Sequence, residues 1–209
     1  MERQRPRHFS MIRDFQLADF FTLGNGFAGT GAILSMLRYV RTKEEYALWA
    51  VFALLPVSLV LDFLDGRIAR WRRKSSMMGQ ELDSLADLVS FGVAPAVLAF
   101  GLGVDGGWDA LVLVYFVACG ISRLARYNTT ASSLSDDSGK VKYFEGTPIP
   151  TSLGIVAILG VLVARGAFAG GQVPGGVWQL GPWTLHPLVL VYLASGTAMI
   201  SKTLHIPKP

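Results

Sequence analysis

Long apolar stretches without a charged residue alternate with short polar or basic connections along this chain. Three of these uncharged stretches are Tyr46–Leu61, Val89–Val104 and Leu111–Ile121. A helix or strand of a soluble protein usually carries charge on its outer face, whereas a helix that crosses a bilayer needs about 20 predominantly apolar residues. The pattern therefore predicts an all-α integral membrane protein.

Six segments approach the spanning length, and they are expected to form a single membrane domain over residues 1–209. The segment Phe9–Leu17 mixes apolar side chains with Arg13 and Asp14, which predicts a short interfacial helix before the first span. Small residues allow helices to approach closely, so the glycines of the first span predict tight helix packing. The predicted spans are about Leu17–Leu37, Glu45–Arg70, Gly79–Phe100, Trp108–Tyr127, Pro148–Arg165 and Leu185–Thr203.

Basic residues are distributed unevenly among the connections between the predicted spans. Fifteen of the 19 Lys and Arg residues lie in the N-terminal segment, the connections after the second and fourth helices, and the C-terminal segment. The remaining residues on the opposite side are Arg38, Arg41, Lys43 and Arg165. Because cytoplasmic loops of membrane proteins carry an excess of Lys and Arg, this distribution predicts that both termini are cytoplasmic.

The composition agrees with a membrane protein and argues against other classes. Apolar residues make up 51% of the chain and charged residues 16%, compared with about 25% charged residues in soluble domains. The net charge of +4 follows from the membrane topology, so no nucleic-acid partner is expected. The basic segment Met1–Ser10 has no following apolar run with a cleavage site, so we expect no removable signal peptide. Cys119 lies in an apolar run and is expected to be a small buried side chain.

Four aspartates lie at helical spacing in the second and third predicted helices. Asp62 and Asp65 are three residues apart, and Asp83 and Asp87 are four residues apart, so each pair shares one face of its helix. The connection Trp71–Met78 is short, which makes the two helices antiparallel neighbours. Their aspartate faces are therefore expected to meet at the cytoplasmic end.

Carboxylates gathered near a membrane are costly unless a cation lies among them. Oxygen ligands favour a hard cation such as Mg²⁺, Mn²⁺ or Ca²⁺ over zinc or copper. Beside a pyrophosphate, such a cation neutralises phosphate oxygens and stabilises the leaving group. The small residues Gly66, Ala69 and Gly79 leave room for a nucleotide near the backbone, and Arg70 can pair with phosphate. A single Asp–Arg pair would indicate only a salt bridge at a helix end, but the whole pattern favours a metal site.

The pattern D-x₂-D-G-x₂-A-R-x₈-G-x₃-D-x₃-D, which runs from Asp62 to Asp87, resembles the signature of the CDP-alcohol phosphotransferase family at every specified position. The resemblance implies a six-helix membrane core, a homodimer and a cytoplasm-facing active-site cavity. It also implies two divalent cations per protomer, Mg²⁺ or Mn²⁺, with Ca²⁺ as an inhibitor or substitute.

The same resemblance implies different functions for the individual motif residues. Asp62, Asp65 and Asp83 are expected to bind metal, and Asp87 is expected to contribute to the metal site and to act as the general base. The residues expected to contact the CDP-lipid are Asp65, Gly66, Ala69, Arg70 and Gly79.

A second group of polar residues follows the fourth predicted helix and concerns the acceptor alcohol. Arg123 and Arg126 are three residues apart at its cytoplasmic end, where two guanidinium groups could hold a carboxylate or a phosphate. Asn128 lies beside them, and Glu145 could offset an ammonium group. Carboxylate, ammonium and hydroxyl together describe L-serine. Anchoring of the helix at the lipid headgroups is the alternative explanation for the two arginines.

The stretches Ser122–Asn128 and Tyr143–Thr151 are similar to those of the phosphatidylserine synthases within the family. This similarity implies transfer of a phosphatidyl group from CDP-diacylglycerol to L-serine, with release of CMP. Two alternatives stay open. An acceptor such as glycerol 3-phosphate or inositol phosphate would use the arginines for its phosphate, although Glu145 would repel that group. A divalent-cation transporter would use the aspartates for conduction, although they are expected at one membrane face.

Overall fold

The computed structural model describes residues 17–72, 77–133, 143–201 and 205–207. Apart from Leu17, the predicted interfacial segment Phe9–Leu17 lies outside these residues. Helices dominate the described part of the chain. In chain order they are α1 (Leu17–Thr42), α2 (Glu45–Arg72), α3 (Met77–Gly101), α4 (Gly107–Ser133), α5 (Ser152–Ala164) and α6 (Leu190–Ile200).

Four of these helices, α1 to α4, are long and apolar enough to cross a bilayer. This confirms the prediction of a mainly helical membrane protein. The fifth and sixth helices are shorter than predicted, because 3₁₀ turns at Ile149–Thr151 and Pro187–Val189 precede them. Even with these turns, Ile149–Ala164 and Pro187–Ile200 remain below the length of the other four, so their crossing of the bilayer stays a prediction.

Polarity is arranged in the way expected for a bundle surrounded by lipid. Large apolar side chains lie on the outside, such as Phe27 with 74% of its surface exposed and Val114 with 68%. Polar side chains lie between the helices, where Asn25 and Ser58 are fully buried. Since lipid tails solvate apolar surface as well as a protein core does, the interior of such a bundle can be the more polar part.

A proline and a π-helical turn interrupt α3 just after its aspartates. The π turn covers Leu88–Val93, and Pro95, two residues later, cannot donate a backbone hydrogen bond. The Ser152 hydroxyl of α5 donates to the Phe91 carbonyl at 2.7 Å, and the Tyr192 hydroxyl of α6 donates to the Pro95 carbonyl at 2.8 Å. The irregular turn is therefore held by two neighbouring helices.

Helices α1 and α3 are in close contact at Gly29. A Cβ atom at this position would overlap Ser90 of α3, so a larger residue would force the helices apart. This confirms the predicted tight packing at one of the glycines of the first span. The contact brings the polar face of α1 against the aspartates of α3.

The structure adds two small antiparallel sheets that the sequence pattern did not predict. Strand β1 (Tyr143–Glu145) pairs with β4 (His205–Pro207), and β2 (Trp178–Leu180) pairs with β3 (Trp183–Leu185). The second pair is a hairpin whose two-residue turn begins at Gly181, with φ of 64°. Glycine adopts this backbone conformation at little cost, which makes the tight turn possible.

The β2–β3 hairpin is attached to the N-terminal end of α4 by a buried carboxylate. Asp109 is fully buried and accepts hydrogen bonds from the backbone N–H groups of Gly106 and His186, both at 2.8 Å. The His186 Nδ1 atom completes this set of contacts to Asp109. The Trp108 indole N–H donates to the Leu180 carbonyl at 3.0 Å. The hairpin is therefore fixed to the helix rather than free to move away from it.

Candidate active site

Three of the predicted aspartates come together between α2 and α3. Asp62 of α2 and Asp83 and Asp87 of α3 each offer a carboxylate oxygen, and these oxygens all lie within 4.8 Å of one another. Asp87 is buried, with 8% of its surface exposed. The spacing that predicted two facing aspartate pairs therefore produces a compact carboxylate cluster.

Asp65 lies one turn further along α2 and is outside this group of three. Its carboxylate is 5% exposed and accepts a 2.7 Å hydrogen bond from the Thr22 hydroxyl of α1. Asp65 is still close enough to Asp83 for the two carboxylates to repel each other. Its assignment as a metal ligand stays a prediction.

Helix α1 contributes a second polar contact that the sequence analysis missed. The Asn25 side-chain amide donates to Asp87 Oδ1 at 3.1 Å, and Asn25 is fully buried. Thr22 and Asn25 are three residues apart, so they share the face of α1 that meets the aspartates. Polar residues inside an apolar span are themselves a signal of function, and this signal could have identified both residues.

The chemistry of the cluster fits a divalent cation. Asp83 Oδ1 is a buried oxygen atom for which the described residues provide no hydrogen-bond partner. A buried acceptor without a donor is costly, and adjacent carboxylates repel one another. A hard cation with oxygen ligands would remove the repulsion, and the carboxylates of Asp62, Asp83 and Asp87 are the donor type that Mg²⁺ and Mn²⁺ prefer.

Arg123 of α4 lies beside this cluster. Its guanidinium is close enough to Asp87 for electrostatic attraction. Its Nε atom is buried and has no hydrogen-bond partner among the described residues. Arg126 lies three residues further along α4 and is partly buried. The structure therefore places the first of the two predicted acceptor arginines within electrostatic range of the predicted general base.

Asn128, also predicted to bind the acceptor, contacts the start of α3. Its side-chain amide donates to Ser84 Oγ at 3.0 Å and approaches Glu81 at 3.5 Å. Ser84 directly follows Asp83, so Asn128 lies near the cluster. Its function toward an acceptor stays a prediction.

The remaining predicted residues lie in α2, α3 and β1. Gly66 and Gly79 lie in α2 and α3 and are partly buried, next to the aspartates of the same helices. Ala69 and Arg70 belong to α2, and Glu145 belongs to β1, but the described structure does not include their side chains. Their predicted contacts with substrate therefore remain predictions.

The segment after β1 forms a fixed turn against α6. Gly146 has a φ of 74°, and a Cβ atom there would overlap the Met199 carbonyl. The Thr147 backbone N–H donates to the Ala198 carbonyl at 3.2 Å, while Thr147 Oγ1 is buried without a partner among the described residues. Only glycine combines this conformation with this contact at low cost. Sequence reasoning assigned no function to Thr147.

Comparison with known proteins agrees with this geometry. The family model described as CDP-alcohol phosphatidyltransferase matches residues 15–192. A CDP-diacylglycerol–serine O-phosphatidyltransferase of Saccharomyces cerevisiae is 48% identical over 97% of this chain and 74% of its own length. Proteins with the same name are 34% identical in Mycobacterium leprae, over 81% of this chain, and in Methanocaldococcus jannaschii, over 68% of it.

The region matched by this chain is a different share of the length of each relative. The matched region spans 52% of the M. leprae protein and 59% of the M. jannaschii protein, so both relatives are considerably longer than the region they share with this chain. The family match includes α1 to α4 and the complete aspartate motif. This confirms the resemblance inferred from Asp62, Asp65, Asp83 and Asp87: the chain belongs to the CDP-alcohol phosphatidyltransferase family.

Proposed function

We propose that this protein transfers the phosphatidyl group of CDP-diacylglycerol to L-serine, forming phosphatidylserine and releasing CMP. The observation that carries the proposal is the cluster of Asp62, Asp83 and Asp87, with Arg123 of α4 within electrostatic range of Asp87. A base with a guanidinium within that range suits an acceptor that has both a hydroxyl and a carboxylate. The names of the relatives in yeast, bacteria and archaea support the same reaction.

The carboxylates of Asp62, Asp65, Asp83 and Asp87 would hold two divalent cations, Mg²⁺ or Mn²⁺. When bound there, the cations would neutralise the pyrophosphate oxygens and stabilise the charge that develops on CMP. Ca²⁺ accepts the same oxygen ligands with a looser geometry, so it would act as a substitute or an inhibitor.

Asp87 is both a metal ligand and the general base in this proposal. As a general base, it takes the proton of the serine hydroxyl while the hydroxyl oxygen attacks the lipid-side phosphorus. The new bond joins the serine oxygen to this phosphorus, and the bond from the phosphorus to the CMP phosphate oxygen breaks. CMP leaves with the electron pair of that bond.

The CDP-lipid would be bound along the facing surfaces of α2 and α3. Gly66, Ala69 and Gly79 lack bulky side chains, which allows the nucleotide to approach the helix backbones. Arg70 would pair with phosphate through its planar guanidinium, and Asp65 would contact the CDP group. All five residues belong to the matched motif.

The acceptor would lie on the α4 side of the cluster. Arg123 and Arg126 would bind the serine carboxylate, because a guanidinium fork matches carboxylate geometry. Asn128 would line the same pocket from the end of α4, and Glu145 would offset the ammonium group. The buried and unpartnered Nε atom of Arg123 supports this assignment.

The proposal includes an arrangement in the membrane. Six helices would cross the bilayer, both termini would be cytoplasmic, and the active-site cavity would open to the cytoplasm. The distribution of Lys and Arg supports this orientation, since 15 of the 19 lie in connections assigned to that side. The protein would be a homodimer, as the family resemblance implies.

A CMP-release assay with a panel of acceptors tests the proposed function. Purified protein in mixed micelles with CDP-diacylglycerol and Mn²⁺ should release CMP with L-serine, and not with glycerol 3-phosphate or inositol phosphate. Asp87→Asn provides the control for contaminating activity. Preference for a phosphate-bearing acceptor would assign the protein to another branch of the family. Divalent-cation flux into liposomes without CDP-lipid, together with no CMP release, would favour a transporter.

A further inference from the structure

Asn25 is held in one position by contacts on both sides. Its side-chain amide donates to Asp87 Oδ1 at 3.1 Å, and its backbone carbonyl accepts a 2.9 Å hydrogen bond from the Ser90 hydroxyl. The close packing of Gly29 against Ser90, one turn along α1, fixes the distance between the two helices. A fully buried side chain with these contacts has little freedom to turn away from Asp87.

The oxygen of the same amide has no donor. Asn25 Oδ1 is buried and lacks a hydrogen-bond partner among the described residues, although its nitrogen is bonded. Because both atoms belong to one planar group, the oxygen must also lie near the Asp87 carboxylate. Buried amide oxygens normally have a donor, so this atom is available for a donor that arrives with a ligand.

We propose that Asn25 is both a positioning residue for Asp87 and a binding residue for the acceptor. Its Nδ2 atom orients the Asp87 carboxylate toward the acceptor hydroxyl. Its Oδ1 atom accepts a hydrogen bond from the acceptor ammonium. This inference rests on the proposed function, since it assigns a residue to the part of serine that a simple alcohol lacks.

Each polar group of serine then has a partner around one site. The hydroxyl meets Asp87, and the carboxylate meets Arg123 and Arg126. The ammonium meets Asn25 Oδ1, while Glu145 offsets its charge. An acceptor that carries a phosphate instead would bring negative charge to the same place, so Asn25 would contribute to the choice of acceptor.

Steady-state kinetics on two variants separate the two functions of Asn25. Asn25→Ala removes both amide atoms, so kcat should fall and the serine KM should rise, each roughly 10-fold or more. Asn25→Asp has the same shape and keeps an oxygen acceptor, but it loses the N–H donor and adds a negative charge beside Asp87. It should therefore show the low kcat with a serine KM no higher than that of the unmodified protein. The CDP-diacylglycerol KM and the affinity for CDP, measured by calorimetry, should change little in both variants.

Ser58→Ala is the matched control, because Ser58 is also fully buried in a span but, within the described part of the chain, bonds only to the Leu55 carbonyl of its own helix. Its kinetic constants should match those of the unmodified protein. An unchanged serine KM in Asn25→Ala, or an equally raised CDP-diacylglycerol KM, would overturn the assignment. If Asn25→Ala does not fold, a raised serine KM in Asn25→Asp would overturn it as well. Serine use by the unmodified protein is measured separately, so failure of the proposed function can be distinguished from failure of the Asn25 assignment.

Discussion

Two buried aspartates lie far apart along the α3–α4 pair, and their surroundings differ. Asp109, near the start of α4, is surrounded by donors: two backbone N–H groups and the His186 ring. Asp87 lies 14 residues before the end of α3, about 21 Å along a helix axis from that end. It receives one amide hydrogen bond from Asn25 and faces two other carboxylates.

The difference indicates what each carboxylate does. A buried carboxylate whose oxygens are all bonded stabilises the surrounding structure and has no capacity left for a ligand. A buried carboxylate among like charges and unpartnered oxygens is unfavourable until a cation or substrate arrives. Asp109 therefore holds the β2–β3 hairpin on α4, whereas Asp87 belongs to a site built for ligands.

Removal of divalent cations should give the largest effect, and only at the Asp87 end. In excess EDTA the purified protein should lose CMP release completely, because the clustered carboxylates would bind no cation. Activity should return when Mn²⁺ or Mg²⁺ is added. The fluorescence of the tryptophan pair between α4 and the hairpin, Trp108 and Trp183, should not change. Full activity in the chelator would eliminate the metal mechanism.

Substitution of the aspartates should distinguish the general base from the metal ligands. Asp87→Asn should lower kcat by roughly 10²–10⁴, the usual contribution of a general base, while it preserves much of the CDP-lipid binding. Asp65→Asn and Asp83→Asn should weaken metal and CDP-lipid binding. The measurements are kcat and the CDP-diacylglycerol KM for each variant. Equal losses of binding in all three would reduce Asp87 to a plain ligand.

Loss of an acceptor arginine should have a smaller and more selective effect. A charge-assisted hydrogen bond contributes about 1.5–3 kcal/mol, so Arg123→Ala or Arg126→Ala should raise the serine KM about 10–150-fold. The CDP-diacylglycerol KM should change little. Arg126→Lys keeps the charge but loses the fork, so it should be impaired as well.

Helix anchoring predicts a different result for the same variants. Lysine would then substitute well for Arg126, and any defect would appear in expression or stability. An unchanged serine KM in both alanine variants would exclude the carboxylate-binding function. The assignment of Asp62, Asp83 and Asp87 would not be affected, because it depends on other helices.

The sequence predicted the local parts of the active site well. Asp62, Asp83 and Asp87 were placed together from helical spacing and a short connection, and the structure brings them within 4.8 Å. These residues lie close in the chain, so the geometry of two adjacent helices is enough to relate them. The buried position of Cys119 was also predicted, from its place in the uncharged stretch Leu111–Ile121.

The parts that sequence reasoning missed depend on contacts between distant segments. Asn25 and Asp87 are 62 residues apart, and only the packing of α1 against α3 brings them together. Asp109 and His186 are 77 residues apart, and the hairpin that carries His186 toward Asp109 follows a turn at Gly181. No helical spacing relates such pairs, so a single sequence does not indicate which polar residues meet.

Substitution at the Asp109 end should produce the smallest catalytic effect and a clear loss of stability. The Gly106 and His186 backbone N–H groups bond to different oxygens of Asp109, and Asn at this position replaces one of these oxygens by an NH2 group, so one of the two N–H groups loses its acceptor. Each donor left unsatisfied costs about 1–3 kcal/mol, which should lower the thermal midpoint of Asp109→Asn in detergent. At temperatures where the protein is folded, kcat and both KM values should match the unmodified protein.

Gln179→Ala is the matched control for this measurement, because Gln179 is an exposed hairpin residue whose side chain bonds to the Gly181 carbonyl of its own turn. Its thermal midpoint should not change, since solvent can replace that bond. If Asp109→Asn kept its thermal midpoint but lost serine selectivity, Asp109 would be part of the acceptor machinery. The contrast between a structural carboxylate surrounded by donors and a functional one that lies among other carboxylates would then be wrong for this bundle. A lowered thermal midpoint with unchanged kinetic constants in Asp109→Asn, together with a lowered kcat and an unchanged midpoint in Asp87→Asn, would establish this contrast.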